Sequence, residues 1–392
     1  MSMSEWQKYK LGEVYSFSSG LSKSSDQFGY GFDFLTFKDV FNNYFLPDKL
    51  TALVNSTEKE RQTCSIKRGD VFLTRTSETD DELGMSSVAL KDYPNATFNG
   101  FTKRLRPIGN VEIYPEFVAY YFRSPRFRAN IVGMSSITTR ASLNNSMLAE
   151  LPLLLPNYEE QVRIATILKS LDDKIDLLHR ENTTLEAMAE TLFRQWFIEE
   201  VKEDWEEVSL TKIANFLNGL ACQKYPPKND IEKLPVLKIR ELSNGIGNDS
   251  DWATANVASE YIIHAGDVIF AWSASLMVKI WDGEDCILNQ HLFKVTSYRF
   301  PKWFYYLWCK HHLNEFIAIA QGHATTMGHI KRSDLESAIV LVPSGKELMM
   351  MDEHIDVLLR KVENNNRQLR TLIKVRNGLL PKLMNKEITI DE

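Results

Sequence analysis

The chain is internally duplicated, and this feature constrains its fold more than any other. Residues 138–197 align without a gap with residues 325–384 of the 392-residue sequence. Both stretches contain a Thr-Thr pair, an aliphatic run that ends at Pro156 or Pro343, and then a long segment with a regular apolar period. The repeat is far longer than the roughly 20–45 residues of a solenoid unit, so it indicates duplicated domains.

The duplication extends upstream, with gaps in the alignment. A tryptophan, three apolar residues and a glycine keep their order in both halves: Trp6, Leu11, Val14, Phe17 and Gly20, then Trp205, Leu210, Ile213, Phe216 and Gly219. A Gly-Asp-Val sequence recurs at 69–71 and 266–268, and Asn99 corresponds to Asn289. Framework positions are therefore shared, whereas the loops between them have diverged.

Composition limits the class of protein. A chain of 392 residues with 44% hydrophobic residues can bury two cores. The sequence shows neither a secretion signal nor an apolar stretch near the ~18 residues needed to span a membrane. Its four cysteines are scattered and form no C-x-x-C pair, as is typical of reduced thiols. These features predict a cytoplasmic protein with no membrane partner.

The two globular parts are predicted to be mixed α/β. Three short apolar runs bounded by glycine, proline or charged residues are predicted strands: 71–74, 236–239 and 268–271. Apolar helical patterns cover 115–131 and 301–319. Pro125 is expected to divide the first of these into two shorter helices.

The segments after Pro156 and Pro343 carry the clearest periodicity. Their seam residues alternate spacings of four and three, from Ile164 to Trp196 and from Met351 to Leu383. This pattern predicts two long helices that pair as an antiparallel coiled coil. The chain is thus predicted to consist of a globular domain, a helix, a second globular domain and a second helix, at residues 1–157, 158–200, 201–343 and 344–392.

The spacing also predicts how the two helices pair. If they run antiparallel about the pseudo-twofold axis of the repeat, one register places the two seam asparagines, Asn182 and Asn365, opposite each other. The adjacent layers are then apolar: Leu178 with Leu369, and Leu185 with Val362. A buried asparagine pair costs stability but fixes the register of a coiled coil.

Two residues disturb the pattern of the second helix. Arg376 occupies a seam position opposite Leu171, so its guanidinium is expected to snorkel out of the seam. Pro381 lies where the helix should continue. Because a proline inside a helix costs about 3 kcal/mol, the last turn is expected to be kinked or to end early.

The order of these motifs resembles the specificity subunit of type I restriction-modification systems. In that family, each half of the protein has a target-recognition domain with a Gly-Asp-(Val/Ile) strand. A Thr-rich turn follows, and then a proline that leads through Glu-Gln into a long helix. The matching residues here are 69–75, 138–140 and 159–161 in the first half, and 266–273, 289–291 and 325–330 in the second. The resemblance covers essentially the whole chain, although Leu348 replaces the glutamine expected after Glu347.

The resemblance implies a non-catalytic protein; from the sequence itself no cofactor and no bound metal are expected. One recognition domain would read one half of a bipartite double-stranded DNA target, the other domain would read the second half, and the helices would set the spacer. Two adenine-methylating modification subunits would bind the chain, and restriction subunits would join them. In agreement, the sequence has no G-x-x-x-x-G-K-[ST], no Pro-Pro-(Tyr/Phe) methyltransferase signature and no H-E-x-x-H.

Basic residues of the first half are candidates for DNA contacts. Arg75, directly after a strand, offers a bidentate fork to guanine; a surface ion pair with a nearby acidic residue is the alternative. The basic run of Lys103, Arg104 and Arg106 suits phosphates better than bases. A solvated face without a DNA contact is the alternative for this run.

The motif residues themselves are the remaining candidates. Those of the Thr-rich turns either bond to DNA or serve only as caps and turns; they are Thr138, Thr139, Arg140, Thr325, Thr326 and His329. Trp272 and Ser273 follow the second Gly-Asp-Val strand. Asn289, Gln290 and His291 suit adenine or backbone contacts, or else are interior polar residues of a strand.

Two other functions fit the same sequence. One is a coiled-coil scaffold whose two globular ends bind proteins rather than DNA. The other is the specificity module of a fused methyltransferase-nuclease. The net charge of −6 predicts weak DNA affinity for the isolated chain, because phosphate neutralisation supplies most non-specific binding. Sequence-selective, salt-dependent DNA binding in the presence of a modification subunit would exclude the scaffold.

Overall fold

Each copy of the repeat builds its own structural unit. The structure is a computed structural model that describes residues 6–77, 82–135, 141–322 and 328–388. Unit 1 is formed by Met1–Lys174 and Leu372–Glu392, and unit 2 by Ile175–Thr371. Each unit therefore contains one globular domain together with parts of both long helices.

The strands of unit 1 are mostly short. They are β1 (Gln7–Lys10), β2 (Tyr15–Ser19), β3 (Phe28–Leu35), β4 (Ala52–Val54), β5 (Val71–Thr74), β6 (Thr76–Ser77), β7 (Ser86–Val88), β8 (Thr97–Phe98), β9 (Thr102–Pro107), β10 (Ala141–Ser142) and β11 (Pro152–Leu155). Its short helices are α1 (Leu11–Val14), α2 (Phe37–Asn42), α3 (Glu58–Thr63), α4 (Pro115–Arg123), α5 (Pro125–Ser135) and α6 (Asn145–Glu150). The main sheet has the order β2-β9-β5-β7, and a second sheet has the order β4-β3-β8. The pairs β1-β11 and β6-β10 complete the unit.

Unit 2 repeats this plan. Its strands are β12 (Glu206–Ser209), β13 (Asn215–Asn218), β14 (Lys233–Leu237), β15 (Trp252–Thr254), β16 (Ile262–Ile263), β17 (Val268–Ala271), β18 (Met277–Ile280), β19 (Cys286–Leu288), β20 (Leu292–Thr296) and β21 (Ile339–Val342). Its short helices are α8 (Leu210–Ile213), α9 (Ile239–Asn244), α10 (Lys302–His311), α11 (Leu313–Gly322) and α12 (Arg332–Ser337). The sheets have the orders β13-β20-β17-β18, β15-β14-β19-β16 and β12-β21.

The two main sheets share one register. In unit 1, Ser19 lies opposite Lys103; in unit 2, Asn218 lies opposite Phe293. Leu73 likewise faces Lys103, as Phe270 faces Phe293. Positions aligned by the repeat therefore occupy equivalent places in the two sheets, and the side chains at those places can be compared directly.

Aromatic residues form much of each core. In unit 1, Phe117, Tyr121 and Phe122 of α4 are completely or almost completely buried beside the main sheet. In unit 2, Trp303 and Phe304 of α10 hold the equivalent position. Burying a large apolar side chain contributes roughly 1.5–3 kcal/mol, so each helix stabilises the core of its own unit.

The two long helices are α7 (Tyr158–Arg194), which continues as a π-helix at Gln195–Glu199, and α13 (Gly345–Met384). Pro381 lies inside α13, which continues past it to Met384. The expectation that the helix ends early is therefore wrong. Leu380, Leu383 and Met384 are buried in the core of unit 1, and this burial offsets the cost of the proline.

Other predicted elements are confirmed or shifted. The strands at 71–74 and 268–271 and the division at Pro125 are confirmed. The strand predicted at 236–239 ends at Leu237, because the chain turns there into α9. The single helix predicted at 301–319 is two helices that meet at His312, whose Nε2 lies 2.8 Å from the Ile339 carbonyl oxygen. The apolar period continues across this break and conceals it in the sequence.

Within unit 2, α7 and α13 pair antiparallel. Asn365 Nδ2 donates to Asn182 Oδ1 at 2.9 Å and to Glu181 Oε2 at 3.0 Å. Further along, the rings of Trp196 and His354 are 6.0 Å apart. The structure thus brings together the two asparagines of the predicted layer. Of the neighbouring seam residues, Leu178, Leu369 and Val362 are buried and Leu185 is half-buried.

The Arg376 side chain is only 20% exposed and does not extend into solvent, which corrects the snorkelling expectation. Its Nη1 bonds to Asp172 Oδ1 at 2.8 Å, and the other oxygen of Asp172 accepts a hydrogen bond from Tyr120. The guanidinium also lies 5.7 Å from the centre of the Tyr44 ring. Asp172, which follows the seam residue Leu171, therefore pairs with the positive charge of Arg376 within unit 1. Burial, followed by the Asp172 charge, raises the pKa of Tyr120.

Replacing Asn182 alone by leucine is expected to destabilise the chain by about 1–3 kcal/mol, because the fully buried Asn365 amide loses one of its two acceptors. The double variant Asn182→Leu/Asn365→Leu is expected to regain or exceed the parental stability. Urea denaturation of the full chain measures both. Thr184→Leu, on the exposed face of the same helix, is the control and should change stability by no more than about 0.5 kcal/mol. Equal losses in the single and double variants would contradict the proposed role of the pair.

Candidate nucleic-acid interface

Equivalent backbone hydrogen bonds hold the residue that follows β5 in unit 1 and the residue that follows β17 in unit 2. In unit 1, Arg75 N donates to Phe101 O at 2.8 Å, and Leu143 N donates to Arg75 O at 3.0 Å. In unit 2, Trp272 N donates to His291 O at 3.4 Å, and Ile330 N donates to Trp272 O at 3.1 Å. We call this arrangement the strand-end corner. It fixes Arg75 and Phe101 in one unit, and Trp272 and His291 in the other, on equivalent backbone.

A glycine before the corner allows two segments to approach closely. A Cβ atom on Gly20 would lie 2.2 Å from Phe98 O, and one on Gly219 would lie 2.3 Å from Asn289 O. Real side chains cannot occupy such positions, so glycine is required at both. This explains why the glycine belongs to the framework shared by the two halves.

Five of the predicted residues come together at the corner of unit 2. The Trp272 ring lies 5.9 Å from the ring of His291 and 6.3 Å from that of His329. Ser273 Oγ is 3.2 Å from His291 Nδ1, and Ser273 pairs with His329 in a β-bridge. Gln290 Nε2 lies 3.4 Å from His291 Nε2. These side chains offer two imidazoles, a hydroxyl and an amide beside an indole face.

Asn289 is placed differently from its neighbours. Its side chain is 5% exposed, and its Oδ1 accepts a hydrogen bond from His291 N at 3.3 Å. Together with Lys238 and Trp252, it lines a cavity of about 440 Å³ in unit 2. Asn289 therefore shapes the turn that presents His291.

The corner of unit 1 presents Arg75 and Phe101. Arg75 is half-buried, whereas Phe101 is 63% exposed. Sequence reasoning missed Phe101, although a signal was available: the alignment of Asn99 with Asn289 places Phe101 at the position of His291. An exposed aromatic beside an arginine can stack on a base and bond to its edge.

The basic run after Phe101 points inward. Lys103 and Arg104 are 7% and 8% exposed. Lys103 Nζ donates to Ser19 and Asn145, and Arg104 donates to backbone carbonyls of the 63–65 segment. Burial, and then the charge of Arg75, lowers the pKa of Lys103, and burial lowers the pKa of Arg104. In this structure, intramolecular bonds occupy both cations.

Arg106 completes this inward-facing set. Its Nε and Nη2 donate to the two carboxylate oxygens of Asp70 at 2.7 and 2.6 Å, and Nη2 also donates to Ser65 O at 3.0 Å. Asp70 is fully buried. The hydrogen bond from Arg106 to this carboxylate raises the pKa of the guanidinium. The pair anchors the turn before β5 to β9.

Five of the predicted residues lie outside the part of the chain that the structure describes: Thr138, Thr139, Arg140, Thr325 and Thr326. Among the described residues, no group of three or more His, Cys, Asp or Glu side chains is arranged to hold a metal ion. The four cysteines are buried and unpaired. In the same described ranges, no helix is long and apolar enough to cross a membrane.

Comparison with known proteins agrees with the duplicated architecture. Residues 3–187 and 202–374 each match the type I restriction modification DNA specificity domain. The chain belongs to this family. As a type I specificity subunit it carries two copies of the family domain, one in each half of the sequence, and the resemblance drawn from its motifs is confirmed.

Individual relatives cover the whole subunit or half of it. The type I restriction enzyme MjaIX specificity subunit of Methanocaldococcus jannaschii is 26% identical over 412 residues, covering 97% of this chain and 92% of that protein. The HindI specificity subunit of Haemophilus influenzae is 28% identical over 200 residues, covering 50% of this chain and 42% of that protein. The crystal structure of the type I S subunit from M. genitalium has a TM-score of 0.61 at 12% identity, covering 98% of this chain and 97% of that one. This specificity subunit therefore has the same fold.

Proposed function

We propose that this specificity subunit reads a bipartite double-stranded DNA sequence, with unit 1 reading one half-site and unit 2 the other. The observation that carries the proposal is the strand-end corner. Equivalent backbone bonds in the two units present different side chains, Arg75 with Phe101 and Trp272 with His291. A constant framework with variable side chains is what two readers of different sequences require.

The chemistry of the two corners suits base edges and phosphates. Arginine offers a bidentate fork to guanine, and serine, glutamine and histidine offer hydrogen bonds to base edges or to the DNA backbone. In unit 2 these groups are Ser273, Gln290, His291 and His329. The Thr-rich turns at 138–140 and 325–326 shortly precede Leu143 and Ile330, whose backbone N–H groups bond to the strand-end corners. We include these turns in the proposed contact surface.

The helices complete the proposal. The 37 residues of α7 correspond to about 55 Å at ~1.5 Å per residue, more than the roughly 34 Å of one DNA turn. We assign to α7 and α13 the role of setting the spacer between half-sites and of docking two adenine-methylating modification subunits. Restriction subunits join that complex in the cytoplasm. Methyl transfer and cleavage belong to these partners, and the chain itself contributes recognition.

The purified chain alone is expected to transfer no methyl group from labelled S-adenosylmethionine to DNA. Adding its modification subunits should give methylation at a defined bipartite sequence, because recognition and chemistry then meet in one complex. The logarithm of the DNA-binding constant should fall linearly with the logarithm of the salt concentration, as counterion release requires. Turnover by the chain alone would contradict the non-catalytic assignment. Binding without sequence preference in the complex would favour a scaffold.

A further inference from the structure

The strand-end corners of the two units differ beside Trp272. Unit 2 has an open cavity of about 210 Å³ there. Its lining combines aromatic side chains, Phe216, Trp272 and Phe293, with polar ones, Thr211, Asn218 and Arg332. Trp272 forms part of this lining and also contacts the rings of His291 and His329, so the cavity is continuous with the proposed DNA surface.

The equivalent positions in unit 1 are bonded to one another. Lys103, which occupies the place of Phe293, donates to Ser19 Oγ at 2.9 Å and to Asn145 Oδ1 at 2.8 Å. The shared strand register makes Ser19 the counterpart of Asn218, and the gap-free part of the repeat makes Asn145 the counterpart of Arg332. A lysine side chain thus crosses the place that is an aromatic cavity in unit 2.

The aromatic walls have a defined geometry. The rings of Trp272 and Phe293 are stacked, 5.7 Å apart and inclined by 27°, and Phe216 meets Phe293 edge-on at 5.9 Å. Trp272 Nε1 donates to Asn218 Oδ1 at 3.2 Å, which fixes the indole plane. A rigid aromatic wall with an amide and a guanidinium in the same lining suits a planar heterocycle with polar edges.

We propose that this cavity receives one unstacked nucleobase from the half-site that unit 2 reads, an inference that rests on the proposed function. Every base has a π-face that stacks on aromatic side chains, and its edges take hydrogen bonds. The cavity is smaller than the ~300–1,000 Å³ typical of sites for larger ligands, so it suits a single ring system. Unit 1 reads its half-site without such a cavity-bound base, because Lys103 holds the equivalent place.

A mismatch scan tests the inference in the complex of the full chain with its modification subunits. Each base pair of both half-sites is replaced in turn by a mismatch and by an abasic site, and the affinity is measured. At one position of the second half-site, a mismatch is expected to tighten binding about tenfold, because the cost of unpairing is removed. An abasic site at that position should give a smaller gain, because no base stacks in the cavity.

Variants that close the cavity show whether the unstacked base is bound in unit 2 or by a partner subunit. The triple variant Asn218→Ser/Phe293→Lys/Arg332→Asn installs the arrangement of unit 1, and Thr211→Trp fills the cavity from a half-buried residue of its lining. Either variant, once its melting temperature shows that it is folded, should lose the difference between mismatched and abasic DNA. Mismatches in the first half-site serve as the control and should behave identically in parent and variants.

The outcomes distinguish this inference from the proposed function. Sequence-specific binding with no difference between mismatched and abasic DNA at any position of the second half-site overturns the inference alone. A difference that persists in the closed variants assigns the base to a partner subunit and also overturns it. Absence of sequence-specific binding by the parent complex overturns both.

Discussion

Replacing residues 1–156 by the first recognition domain of another specificity subunit is expected to change one half of the methylated target and leave the other half unchanged. The physical reason is that each unit has its own core. Buried residues of α4 fill the first core, and those of α10 fill the second. Mapping methylated adenines in a host that carries the exchanged subunit measures both half-sites at once.

The boundary of the exchange follows from the sheet pairing. Strand β1 pairs along its whole length with β11, from Gln7 opposite Leu155 to Lys10 opposite Pro152. An exchange that stops at residue 150 leaves β11 from one protein against β1 from another, and it serves as the matched control. We expect the longer exchange to fold and methylate more efficiently, because its β1-β11 pair is native.

The junction with α7 and α13 also needs native contacts. Gln161 is 1% exposed; its Oε1 accepts from Tyr114 N, and its Nε2 donates to Pro156 O. Leu383 of α13 lies in the same core. A donor domain is therefore preferred that has a residue other than proline at 114, so that the backbone N–H remains, and apolar residues around the helices. An exchange that changed both half-sites would contradict independent reading by the two units.

The elements that sequence predicted best are those fixed by a period or by the repeat. Strand β17 follows from a short apolar run after Gly266-Asp267, and α7 and α13 follow from their heptads. The contact between Asn182 and Asn365 follows from the repeat alone, because only one antiparallel register places the two polar residues of the seam in one layer. These features depend on local spacing, which a single sequence displays.

Burial of charge could not be predicted in the same way. Lys103 and Arg104 look like a solvated basic run, yet β9 lies between β2 and β5 in a sheet whose two faces are both covered. On such a strand, consecutive residues point to opposite faces and are buried whatever their sign. The cavity beside Trp272 was equally hidden, since it depends on which side chain fills a position aligned with Lys103.

The second large effect concerns Arg106, which the sequence suggested as a phosphate contact. Arg106→Met is expected to lower the free energy of unfolding by about 3–5 kcal/mol, because it leaves the fully buried Asp70 carboxylate without its cation. The double variant Asp70→Asn/Arg106→Met should recover most of this loss. It removes the buried charge and retains an oxygen that can accept from Lys67 N.

Lys10→Met is the matched control for this prediction. Lys10 also pairs with a carboxylate, Glu150, at 2.6 Å, but both side chains are more than half exposed. Exposed pairs contribute at most about 1 kcal/mol, so this variant should unfold almost as the parent does. Denaturant unfolding of all three variants, combined with DNA binding by their complexes over a range of salt concentrations, separates the two roles of Arg106. Unchanged stability with weaker and less salt-dependent DNA binding would return Arg106 to the phosphate contacts expected from the sequence.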